Sequence, residues 1–94
     1  GQARQKERRS WMNKILVEVS VPAAQIGFDV FLPLELSGCE ALKLLVKLAS
    51  DSAGGLFAAD ESTALCRRED GAILDIRLPV WKMGLCNGEK LMLV

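Results

Sequence analysis

No histidine occurs among the 94 residues, so the commonest general base and the commonest metal ligand are both missing. Any chemistry must come from thiols or carboxylates. Cys39, Cys66 and Cys86 lie far apart with no CxxC pair, and an odd number of cysteines leaves a free thiol in any disulfide scheme. They read as the reduced cysteines of a cytosolic protein. Three dispersed thiols do not make a zinc spacing, so neither a metal nor a cofactor is expected. Cys39, close to an expected helix start, is the best placed nucleophile because the helix dipole favours a thiolate there. With no histidine to serve as base it reads as a packing residue. Asp60-Glu61 and Glu69-Asp70 fall in expected loops as solvated charges, and nothing supplies the pocket that a catalytic acid or base requires. Arg67-Arg68 could hold an acidic partner, but reads as a solvated strand face. No catalytic residue is named; the expectation is a protein that is not an enzyme.

The elements around these residues are short and regular. The length suits one small domain, which buries only about 60% of the surface its unfolded chain exposes. Half the residues are hydrophobic and 26% are charged, a globular balance. The zero net charge is unevenly spread. Residues 1–11 carry Arg4, Lys6, Arg8 and Arg9 against Glu7, a net +3, which leaves −3 on the remainder. A weakly acidic body excludes nucleic acid as the main partner, since phosphate binding needs clustered cations on the folded surface. Runs such as Ile15-Leu16-Val17 and Leu44-Leu45-Val46 fall far short of the roughly 20 residues of a membrane span, and no signal-peptide pattern is present. A cytoplasmic location is expected.

Residues 1–12 lack the apolar content to pack and read as a flexible extension; residues 13–94 read as the domain. From Lys14 to Val21 a β-branched run alternates with period two and is closed by Pro22, and a second alternating run begins at Phe28. With Gly27 between them the pair reads as a hairpin. Pro33 has no N–H to give, which places it at an edge or strand end. Ser37-Gly38-Cys39-Glu40 has capping-box spacing and predicts a helix start. On that helix Glu40, Lys43, Lys47 and Ser50 share a polar arc of about 80°, while apolar residues fill about 220°, twice what an amphipathic helix needs. Gly54-Gly55 ends it. Thr63–Arg68 reads as a third strand, Asp70-Gly71 as a turn, Ala72–Leu74 as a short return strand and Lys90–Val94 as the last strand.

That order, hairpin, helix, strand, short element and final strand, resembles the ubiquitin-like β-grasp fold. The residues that carry the resemblance are the Asp70-Gly71 turn and the ending Asn87-Gly88-Glu89-Lys90-Leu91-Met92-Leu93-Val94. It implies an α+β domain with a mixed sheet of four to five strands on one main helix. Within that superfamily the start Ile15-Leu16-Val17-Glu18-Val19, the helix just after Leu34-Glu35-Leu36, and Leu85-Cys86-Asn87-Gly88-Glu89 resemble the bacterial YukD and EsaB group of type VII, WXG-type secretion systems. The resemblance implies a non-catalytic cytosolic accessory component that binds protein partners of the membrane secretion machinery. The chain shows Leu93-Val94 where conjugated modifiers and sulfur carriers show a diglycine. A longer gene ending in Gly-Gly would make it such a carrier, and a larger membrane secretion component containing this domain is the other alternative.

Two surfaces are candidates for binding. If Leu91 and Leu93 face the core, Met92 and Val94 face out, and Cys66 on the third strand emerges beside them. These positions match the recognition patch of ubiquitin, and an exposed apolar patch of this kind marks a contact site. The helix flank of Ala41, Leu44 and Leu48 is the second. Either it forms a homodimer or partner-helix interface, or Leu56 and Phe57 fold back over it.

Overall fold

A computed structural model describes residues 13–54 and 63–94. The expectations for residues 1–12, and for Leu56 and Phe57 over the helix, lie outside those residues. Strand β1 (Lys14–Val21) runs into a 3-10 turn, Pro22–Ala24, and strand β2 (Ile26–Pro33). Helix α1 (Gly38–Ser52) follows, then β3 (Leu65–Arg67), a second 3-10 turn at Val80–Lys82, and β4 (Glu89–Leu93). The sheet order is β2-β1-β4-β3. The outer pairs are antiparallel and the central β1–β4 pair is parallel.

Each β1 residue whose side chain points to one face is buried: Ile15, Val17, Val19 and Val21. They meet Leu91 and Leu93 of β4, Leu65 of β3 and Leu32 of β2 in one core, closed by Leu74, Val80 and Met83. The helix contributes Ala41, Leu45 and Ala49. Spacing of four keeps these three on one line, and the two alanines let the helix axis approach the sheet while Leu45 fills the space between. Burying a leucine such as Leu91 contributes about 2 kcal/mol or more. The wide apolar arc of α1 has a packing reason, because Leu42, Leu44 and Val46 on its two flanks are half-buried against the same core.

The capping box forms as the sequence predicts. The Glu40 N–H donates to Ser37 Oγ at 3.1 Å, and the Ser37 N–H donates to Glu40 Oε1 at 3.4 Å. The helix ends at Ser52, and Gly54 takes the left-handed backbone, φ 60°, that ends such helices readily. The hairpin turn differs from expectation. Gly27 lies inside β2, paired with Ser20, and the chain reverses through Pro22–Ala24 with Gln25 at φ 54°. Pro22 fixes the φ of that turn, which moves the reversal upstream of the glycine. Pro33 ends β2, an edge strand, where a missing N–H costs no ladder bond. No helix of the described residues is long and apolar enough to cross a membrane.

Candidate functional site

The sheet's inner face is filled by the helix; its outer face carries the candidate residues. Register aligns them across four strands. Gly27, Ser20, Met92 and Cys66 lie in one row, and an isolated bridge from Cys66 to Ile73 extends it by one residue. The bridge is tight: the Arg67 N–H donates to the Ala72 carbonyl at 2.8 Å, and the Leu74 N–H to the Leu65 carbonyl at 2.9 Å. The expected return strand is therefore present as this single bridge. The turn before it is made by Gly71 at φ 72° and by Asp70 Oδ1, which accepts the Ala72 N–H at 3.0 Å. Beside the row, Val94 and Ala64 exchange both backbone bonds.

Met92 is half-buried and Val94 is 56% exposed, both on the outer face while Leu91 and Leu93 are buried. Cys66 shares the face but not the exposure. At 5% it is recessed, because its short side chain sits between Met92 and Ile73 in register. The expectation that Cys66 emerges on an open surface is corrected accordingly. Ile73 stands out instead, 74% exposed. Sequence reading placed it on a strand without assigning its face, and the burial of its neighbour Leu74 is the signal that two-residue alternation could have used.

Charges flank the apolar row on one side. Asp29 and Glu18 pair across β2 and β1, and Lys90 lies opposite Glu18 on β4. Arg68 spans β4: its Nη1 donates to Ser20 Oγ at 2.8 Å and lies 3.5 Å from Glu18 Oε1. Arg67 turns the other way. Its guanidinium lies 3.8 Å from Asp70 and 4.0 Å from Glu89, and its Nη2 donates to the Gly84 carbonyl at 3.5 Å. The Arg67 Nε is buried without a hydrogen bond, so the approach to Glu89 is ionic only. The adjacent arginines are thus ties between elements rather than a solvated pair. An open hollow of about 430 Å³ lies between Arg68-Glu69 and Gly88-Glu89-Lys90.

On the helix the three candidate residues separate. Ala41 is fully buried against the sheet and belongs to the core, a consequence of lying four residues before Leu45. Leu44 and Leu48 are half-buried. Cys39, expected to pack, is exposed at the first turn of the helix, and Cys86 is exposed as well. Among the described residues no three acidic or thiol groups are placed to hold a metal ion.

Solved structures supply the comparison. A chain of the MycP5-free ESX-5 inner membrane complex superposes with a TM-score of 0.72 at 19% identity, over 87% of this chain and 21% of that one. The ubiquitin-like domain of the Mycobacterium tuberculosis type VII secretion system protein ECCD1 gives 0.67 at 18% identity, over 86% and 97%. The N-terminal ubiquitin-like domain of the 4931431F19Rik protein gives 0.58 at 23% identity, over 87% and 74%. No protein-family model and no curated protein matches the sequence. The helix on a mixed four-stranded sheet, with the parallel pair at its centre, is a ubiquitin-like β-grasp fold. The chain spans about a fifth of the length of the ESX-5 chain.

Proposed function

We propose that the chain is a non-catalytic protein-interaction module of a bacterial type VII secretion system, working on the cytosolic side by noncovalent contact through the outer sheet face. The observation that carries this reading is the apolar patch of exposed Ile73 and Val94 with half-buried Met92 on a sheet face that the helix leaves uncovered. An open apolar patch with charges along one side is the surface chemistry of a protein contact. The likeness to the ECCD1 domain and to a chain of the ESX-5 complex supports the setting. The helix flank is the weaker candidate because Leu44 is already packed on the core.

Co-purification with the native type VII inner-membrane complex tests this. Ile73→Asp and Met92→Asp are expected to lower recovery at least tenfold, equivalent to about 1.4 kcal/mol or more. Ile73 is exposed, so Ile73→Asp keeps the unfolding free energy within about 0.5 kcal/mol of wild type. Unchanged recovery with both sheet-face variants removes the outer sheet face as the contact.

A further inference from the structure

The two edges of the sheet are finished differently. Beyond β3 the chain supplies its own backbone partners, through the Arg67 N–H to the Ala72 carbonyl and the Leu74 N–H to the Leu65 carbonyl. Beyond β2 no described strand follows. β2 is also the longer edge: eight residues paired to β1 in unbroken register, without a bulge, a lysine or an arginine, and with its proline only at the end. Short edges, bulges, lysines and prolines are the devices that keep a sheet edge from pairing.

Register decides which groups face outward. Leu16 donates its N–H to Asn87 Oδ1 and accepts the Gly88 N–H at its carbonyl, both on the β4 side of β1. Backbone groups alternate in direction along a strand. Glu18 and Ser20 therefore face β4 as well, and their β2 partners Asp29 and Gly27, both exposed, aim N–H and carbonyl groups at the open edge. Side chains add two features. Asp29 lies opposite Glu18, a like-charged pair; Arg68 and Lys90 serve Glu18 from its other side, and among the described residues no cation pairs with Asp29. On the helix side Phe28 and Val30 are only half-buried, while their β1 partners Val19 and Val17 are fully buried.

We propose that the β2 edge takes an extended segment of a partner protein as an added strand, with side chains that alternate apolar, basic, apolar. The outward main-chain groups of Gly27 and Asp29 bond to its backbone. The basic side chain lies beside Asp29 on the outer face, and its two apolar neighbours cover Phe28 and Val30 on the helix side. A second copy of this chain fits less well. The fullest two-fold overlap of β2 with itself is centred on Asp29 and sets that carboxylate against its symmetry mate. This edge lies across the sheet from Ile73, so the contact is separate from the outer-face patch and is read by different residues.

NMR titration and amide hydrogen exchange of the full chain, with an acetylated Thr-Val-Lys-Val-Thr peptide taken to millimolar concentration, read the pairing. Slowed exchange at the Gly27 and Asp29 amides is expected, with binding about fivefold tighter than that of the Thr-Val-Glu-Val-Thr counterpart. Asp29→Lys changes an exposed side chain and relieves the pairing with Glu18, so the fold is kept and the preference is reversed. That gain for the glutamate peptide is one a folding defect cannot mimic. Absence of binding to the lysine peptide, an unchanged preference in Asp29→Lys, protection at Ile73 and Met92 in place of Gly27 and Asp29, or a dimer that protects the same two amides without peptide would each overturn the proposal.

Discussion

At the scale of single residues, the least replaceable group is a hydrogen atom. Gly38 opens the helix while its N–H donates to the Leu78 carbonyl at 2.8 Å, and a Cβ there would come within 2.5 Å of the Ile76 carbonyl oxygen and 2.6 Å of the Met83 methyl. The backbone on the other side cannot swing away as a side chain could. Gly38→Ala is expected to cost about 1–3 kcal/mol, read from urea unfolding with an unchanged slope. Asp75 carries the titration worth following. Hydrogen bonds from the Arg77 side chain, and then from its backbone, hold the Asp75 carboxyl below its ordinary value. A carboxyl lowered in the folded state stabilises at pH above its unfolded pKa, and that contribution is lost as pH falls through the folded one. NMR titration should show Asp75 moving part of the way back toward the ordinary range in Arg77→Ala, which removes the guanidinium but keeps the backbone hydrogen bond, with little change in stability because both groups are solvated.

At the scale of elements, the β1–β4 pairing holds the sheet together and is completed by a side chain. Ladder pairing begins at Val17 opposite Glu89. One step earlier, the Leu16 N–H donates to Asn87 Oδ1 at 2.7 Å, and the Leu16 carbonyl accepts the Gly88 N–H at 2.7 Å. Gly88, at φ 87°, gives the turn that brings Asn87 into place. Asn87→Ala should cost about 1 kcal/mol in thermal or urea unfolding, and Asn87→Asp, which keeps the acceptor oxygen, should recover part of it. The same element logic explains the correction at β3. Three residues are too few to leave a cysteine on an open face when a return segment bridges its outer edge, so Cys66 recedes and Ile73 takes the exposed position.

At the scale of the whole molecule, neutrality conceals two differently charged regions. The sheet's outer face sets Glu18, Asp29, Lys90 and Arg68 along one side of an apolar row, which suits a protein contact. At the second 3-10 turn Lys82 lies over the exposed Trp81 ring, 5.2 Å from its centroid. Among the described residues the helix covers one side of the four-stranded sheet and leaves the other open.

The sequence by itself determined the parts governed by near neighbours. Period-two burial in β1 and β4, the Ser37–Glu40 cap and the Asp70-Gly71 turn were legible, since alternation, capping and turn chemistry act over a few residues. The alternation also separated Leu91 and Leu93 from Met92 and Val94. Distant pairing was not legible. The hairpin reversal at Pro22–Ala24, the recession of Cys66, the burial of Ala41, the bridging roles of Arg67 and Arg68, and the meeting of Asn13, Leu34 and Trp81 each depend on groups far apart in the chain. Only tertiary structure decided them, because exposure is set by what packs opposite a side chain, and register brings those groups together without leaving a local pattern.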